Sequence, residues 1–159
     1  MNARPAAQAR DISLQLDVPD GGIQVDGDPD RLSQILGNLL VNAIKFTQQG
    51  GQVNVSVHKA DNGCAEVVVS DTGRGVSAEN LPKLFEPFFL ADDSSTRREK
   101  GLGLGLAIVR LLTEAHGGSV TAVSSGPGKG AKFTVRLPAL TTGGRGADRL
   151  PSSKDEAEP

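Results

Sequence analysis

The amino-acid sequence predicts an α+β fold: a two-layer sandwich with helices packed on one face of a mixed, mostly antiparallel sheet. Three observations predict it. Several short stretches alternate apolar and polar residues, the strand period, and two longer ones carry the helical period. Two pairs of strand candidates are joined by turns short enough to make only antiparallel hairpins, at Asp61-Asn62-Gly63 and at Gly126-Pro127-Gly128-Lys129-Gly130. The order of elements is strands, helix, hairpin, long loop, helix, hairpin, which excludes an all-parallel sheet.

Ile12 to Val18 alternates and reads as a half-buried strand. Pro19-Asp20-Gly21-Gly22 is a turn, and Ile23 to Asp26 reads as a second short strand. Asp28-Pro29-Asp30 opens a helix: Asp28 is a cap, Pro29 suits the first helical position, and Asp30 meets the positive end of the dipole. That helix is expected to run to about Gln49, where Gly50-Gly51 stops it. Gln52 to Ala60 and Ala65 to Ser70 form the first hairpin, the second strand being richer in Val and more buried. Residues 71–102 read as loop. A second helix spans roughly Gly103 to His116, and strands at Ser119–Ser125 and Ala131–Leu137 close the domain. Residues 1–10 read as an N-terminal linker, 11–140 as one domain, and 141–159, rich in Gly, Ser and charge, as a tail or linker.

Composition narrows the function classes. A chain of 159 residues supports one core, built from Leu, Val, Ile and Ala because the five Phe are its only aromatics. Seventeen basic against 19 acidic residues leave no basic face for nucleic acid. The single cysteine, Cys64, fits a reducing compartment and reads as a half-buried strand residue. No apolar stretch approaches a bilayer's width, and the N-terminus has no signal-peptide core. Hence a cytoplasmic chain without membrane contact of its own is expected, whether or not a parent protein is anchored elsewhere.

The first helix carries amides where a core helix should not. Its apolar stripe is Leu32, Ile35, Leu36, Leu39, Leu40 and Ala43. At the edge of that stripe Asn38, Asn42 and Lys45 recur at i, i+4 and i+7. Half-buried amides need partners. Either they bond neighbouring loops, or they line a polar groove offering neutral oxygens to a hard cation and an ammonium to phosphate.

Two glycine loops add to this. Asp71-Thr72-Gly73-Arg74-Gly75 places a carboxylate at the end of a buried strand, a pattern ordinary turns also make. Gly101-Leu102-Gly103-Leu104-Gly105-Leu106 leads three alternating glycines into an apolar helix, offering backbone N–H groups and a helix N-terminus to an anion. There is no Gly-Lys-Ser/Thr, so this is not a P-loop. A dinucleotide fingerprint is excluded because a charged loop, not a strand, precedes the glycines and Leu106 stands at the third glycine position.

Together, four motifs in order resemble the catalytic domain of sensor histidine kinases, of the wider gyrase/Hsp90/MutL-like superfamily: DPDRLSQILGNLLVNAIKFT, DTGRG, FEPFF and GLGLGLAIV. The resemblance covers about residues 11–138 and implies a Bergerat-type ATP-binding fold. It also implies a transferase that passes the γ-phosphoryl group of Mg·ATP to a histidine in two-component signal transduction. Asn42 would ligate Mg²⁺, with Asn38 beside it. Lys45 would reach a phosphate, with Asn38 and Lys45 as catalytic residues, and Phe46 would lie against adenine. Asp71 would accept from the adenine amino group, with Gly73, Gly75 and Val76 lining the base. Gly101, Leu102, Gly103, Leu104, Gly105 and Leu106 would cradle the phosphates. Residues 92–100 would be a lid, with Arg97, Arg98 and Lys100 available to the γ-phosphate. Phe85 would point inward, and Phe88 and Phe89 would dock the helical dimerisation and phosphoacceptor domain of the parent kinase. A response regulator would be an indirect partner.

Departures from the family's pattern matter as much. No phosphoacceptor helix is present: His58 lies on a strand and His116 at a helix end, so the acceptor is expected on a separate segment. Ala131, not a hydroxyl residue, follows Gly130, which puts in doubt a hydroxyl contact near adenine. Hydrolases of the same fold place a Glu where Asn38 stands, and an amide cannot take a proton from water. A serine kinase of the anti-sigma-factor type, and a nucleotide-binding interaction module without transfer, share the fold and the glycine boxes; the FEPFF segment favours a histidine kinase.

Overall fold

A computed structural model describes residues 3–91 and 101–140. Five strands form one sheet in the order β1-β2-β3-β5-β4: β1 Ser13–Asp17, β2 Gln52–Lys59, β3 Cys64–Asp71, β4 Ser119–Val123 and β5 Ala131–Pro138. Among the described residues only β1 and β2 pair in parallel, and the remaining pairs are antiparallel. The helix Pro29–Phe46 (α2) makes the crossover between β1 and β2, and the helix Gly105–Ala115 (α3) lies between β3 and β4 in the chain. Both helices pack against the sheet and against each other, so they share one face of it. The core between the layers is Ile35, Leu39 and Ala43 from α2, Val109 from α3, and Val53, Val55, Val69, Phe133 and Val135 from the strands.

Local chemistry sets the ends of α2. The Asp28 carboxylate accepts from the N–H of Asp30 at 2.9 Å and of Arg31 at 3.4 Å. The helix stops at Phe46, three residues before the expected end, because the Thr47 hydroxyl and N–H both turn back to the Ala43 carbonyl. The first hairpin forms where Gly63 takes φ 79° and Asn62 accepts from the Cys64 N–H at 3.1 Å.

Three elements differ from the sequence reading. Residues 3–8, expected within a linker, form a helix (α1, Ala3–Gln8) that buries Ala7 to 1% exposure against α2 and β1. Ile23 to Asp26 is not a strand; only a single bridge joins Val25 to Ala139. The second helix begins at Gly105 rather than Gly103, because Gly103 sits at φ 69°, outside helical space. The expected lid and the expected tail lie outside the described residues.

Candidate functional site

The register of the sheet decides where Asp71 stands. It closes β3 between Val53 of β2 and Ala131 of β5. Gly73 donates to Asp71 Oδ1 at 2.8 Å, and the Ala131 backbone N–H also bonds the carboxylate. Burial pushes the Asp71 carboxyl above the ordinary carboxylate range, and these two backbone donors only partly offset it. The glycines are required by close approach. A side chain on Gly73 would run into the Phe46 carbonyl, and one on Gly75 into the Gly126 carbonyl. Gly73 and Arg74 carbonyls accept from Gly130 and Gly128 N–H at 3.0 and 2.6 Å, so the loop is zipped onto the second hairpin turn. Gly75 also has φ 67°, and Gly75→Ala is expected to lower stability by more than about 1 kcal/mol, read as a shift in the melting midpoint.

Beside Asp71 the C-terminal half of α2 faces the second glycine box across a cavity of about 510 Å³. Its walls include Asn38, Asn42, Lys45 and Phe46, then Asp71, Gly75 and Val76, then the whole of Gly101–Leu106, with Ala131 and Phe133 behind. The amide stripe divides between its two readings. Asn38 Nδ2 donates to the Gly105 carbonyl at 3.2 Å, tying α2 to the first turn of α3. Asn42 lines the cavity with no partner of its own among the described residues. Lys45 reaches the start of the second glycine box, where a Cβ on Gly101 would lie 3.7 Å from its Nζ. Of the phosphate-loop glycines, Gly103 alone takes positive φ, and the N-terminus of α3 opens into the cavity at Gly105. The Ala131 position contributes backbone but no hydroxyl; the nearby hydroxyl is Ser124, whose Oγ accepts from Val76 N–H at 3.0 Å and donates to the Gly130 carbonyl at 2.7 Å.

The Phe box splits. Phe85 packs edge-on against Phe133, ring centroids 6.3 Å apart. Phe88 is 72% exposed with φ 64°, and its N–H donates to the Gly103 carbonyl at 3.0 Å. Phe89, expected to face a partner, instead packs against the core and forms a wall of the cavity, since the backbone turn at Phe88 sends it inward. Arg97, Arg98 and Lys100 lie outside the described residues.

Sequence reading missed two arginines. Arg74 stands over the Phe46 ring, its guanidinium carbon 4.0 Å from the centroid, and donates to the Ala91 carbonyl at 3.1 Å. Arg10 also lines the cavity. The only signal for Arg74 was its place between two box glycines, and none marked Arg10.

A family model described as histidine kinase-, DNA gyrase B-, and HSP90-like ATPase matches residues 27–141, most of the chain. The chain belongs to this family. The histidine protein kinase DivJ of Caulobacter vibrioides is 43% identical over 129 residues, 81% of this chain and 21% of that protein. The sensor histidine kinase ZraS of Klebsiella oxytoca is 42% identical over 132 residues, 83% of this chain and 27% of that protein. The chain thus spans roughly a quarter of these relatives' length. Of solved structures, a mycobacterial sensor histidine kinase, MprB, is 32% identical with a TM-score of 0.76, covering 86% of this chain and 90% of that one. Full-length ShkA, solved in complex with AMPPNP, is 35% identical with a TM-score of 0.75, covering 88% of this chain and 28% of that one. These likenesses extend over most of the chain. No helix among the described residues is long and apolar enough to cross a membrane.

Proposed function

We propose that this chain is the ATP-binding catalytic part of a sensor histidine kinase, passing the γ-phosphoryl group of Mg·ATP to a histidine on a separate helical segment in the cytoplasm. The observation that carries the reading is the meeting of Asn42, Asp71 and both glycine boxes around one cavity. Relatives named as histidine kinases, rather than serine kinases or hydrolases, favour it further.

Each wall of the cavity has a task under this reading. Asp71 accepts from the adenine amino group, while Phe46, Val76 and Arg74 bound the ring. Lys45 and the N–H groups of Gly101–Leu106 hold the phosphates, helped by the N-terminus of α3. Among the described residues no group of His, Cys, Asp and Glu could hold a metal. That suits Mg²⁺, a hard cation taken up largely through substrate phosphates and one neutral amide oxygen, that of Asn42. When bound, the ion neutralises phosphate charge. The protein's contribution is positioning and charge, and Asn38 offers no base to activate water. The exposed Phe88 is the docking contact for the phosphoacceptor helices, and a response regulator follows it in the relay.

Neither histidine of the chain can serve as acceptor. His58 is held on β2, with Nε2 2.8 Å from Glu66, which also pairs with Arg136. His116 ends α3, with Nδ1 2.7 Å from the Leu112 carbonyl and Nε2 accepting from Asp28 N–H at 3.2 Å. Neither lines the cavity. With radiolabelled ATP the chain alone is expected to stay unlabelled and to release little free phosphate. Adding a helical phosphoacceptor hairpin from the parent protein is expected to yield acid-labile label on the hairpin. Label on the isolated chain, or rapid hydrolysis without an acceptor, would refute the reading.

A further inference from the structure

The last four carbonyls of an α-helix lack partners within the helix. At the end of α2 all four are satisfied, one by the capping residue Thr47 and three by two distant parts of the chain. Ala43 accepts from Thr47, N–H at 3.0 Å and Oγ1 at 2.7 Å. Phe46 accepts from the Arg74 N–H of the first glycine box at 3.1 Å. Ile44 and Lys45 both accept from Arg10 Nη1 at 2.9 Å, while Arg10 Nη2 reaches the Thr47 carbonyl at 3.3 Å. This is the turn that carries Lys45 and Phe46 into the cavity, and Arg10 itself lines that cavity.

The arginine is held as firmly as the turn it caps. Its own N–H and that of Ile12 bond back to the Ala7 carbonyl of α1 at 3.1 and 2.9 Å. The next residue, Asp11, takes φ 54° and accepts from the Gly50 N–H at 3.0 Å. One guanidinium therefore joins α1 to the nucleotide end of α2. A planar fork with several donors can bridge three carbonyls, and its charge complements the negative end of the helix dipole. A lysine would bring the charge without the fork.

We infer that Arg10 is a positioning residue for the nucleotide, locking the last turn of α2 so that Lys45 and Phe46 are aimed before ATP arrives, and so coupling the docking of α1 to the ATP site. The inference rests on the nucleotide reading of the cavity. Coupling between two sites is reciprocal, so bound nucleotide must in turn tighten α1.

The test uses the whole chain, with Mg·ATP titrated by calorimetry. Arg10→Met, which keeps the stem but not the donors, is expected to weaken binding about tenfold, and Arg10→Lys by less. Val120→Ala on β4, away from the cavity, is the control that lowers the melting midpoint while leaving affinity alone. Hydrogen exchange supplies the reciprocal readout: Mg·ATP is expected to slow the Ala9, Arg10 and Ile12 amides in the wild type and in Val120→Ala, but not in Arg10→Met. Wild-type affinity in Arg10→Met would overturn the inference. So would an equal loss of affinity in a Val120→Ala protein of matched midpoint. If Arg10→Met does not fold, Arg10→Lys and the wild-type exchange decide: unchanged affinity, or no slowing at those amides, overturns it. A wild-type chain that binds no Mg·ATP would instead remove the nucleotide reading itself.

Discussion

Asn42→Ala is expected to lose Mg·ATP binding by about a hundredfold or more, ~2.8 kcal/mol, while the protein keeps its fold. Both halves of that expectation come from the same geometry. The Asn42 amide faces the cavity with no partner among the described residues, so its loss breaks no internal bond. Ala is also the better residue for a helix interior, so the melting midpoint should hold or rise. Its neighbour gives the contrast. Asn38→Ala removes the bond to the Gly105 carbonyl and is expected to cost about 1 kcal/mol of stability. Calorimetry with and without a chelator, beside thermal melts, separates the two. Unchanged affinity and unchanged metal dependence in Asn42→Ala would end its assignment to the ion.

The second large effect concerns the base. Asp71→Asn is expected to weaken ATP binding strongly, although Asn keeps one carbonyl oxygen. The Gly73 N–H, 2.8 Å from Oδ1, claims that oxygen, which turns the new amide nitrogen toward the adenine amino group, donor against donor. Leaving such a buried pair unmatched costs about 1–3 kcal/mol. GTP, which presents a carbonyl oxygen to the carboxylate, should bind the wild type worse by a similar amount and regain ground in Asp71→Asn. Equal affinity for ATP and GTP in the wild type contradicts the assignment.

Acidification gives an independent check on Asp71. Burial raises its carboxyl above the ordinary 3.8, so the folded protein takes up this proton at a higher pH than the unfolded chain. The sign follows: between the two values this group makes the free protein more stable as pH falls, the reverse of a paired surface carboxylate. Under the proposed adenine contact, ATP affinity is expected to move the other way, because the proton would cap the acceptor that the adenine amino group would use. Opposed slopes of free-protein stability and ATP affinity on the acid side, both absent in Asp71→Asn, are the expected result. Melts and titrations across that range measure them.

How much was legible follows the range of the forces involved. Asp28 caps α2 through N–H groups two and three residues away, and Asn62-Gly63 turns the hairpin through neighbours just as close, so both could be read from adjacent letters. The apolar stripe of α2 and the alternation of β2 and β3 were equally plain, since a buried face repeats with the period of its own element. Asp71, Asn42, Gly75 and the three glycines of the second box follow from their motifs and line one cavity, whereas Gly73 stays behind it, donating to Asp71. The helix α1 was not legible, because six residues do not form a stable helix alone; packing of Ala7 decides it. Nor was the inward turn of Phe89, which depends on Phe88 holding a left-handed backbone against Gly103.

What the sequence by itself determined was therefore the two long helices, the hairpin pairings and the motif residues around the cavity, all consequences of periodicity and near-neighbour hydrogen bonding. Only the tertiary structure decided which of those residues are already engaged and which stand open to a ligand. Asn38 is spent on Gly105, 67 residues away, whereas Asn42 is not. Arg74 lies over Phe46, and Arg10 caps carbonyls 34 and 35 residues further along. Such contacts are made by whichever donors the packed layers bring to an unsatisfied carbonyl or an open ring face, and no local pattern in the chain records that choice.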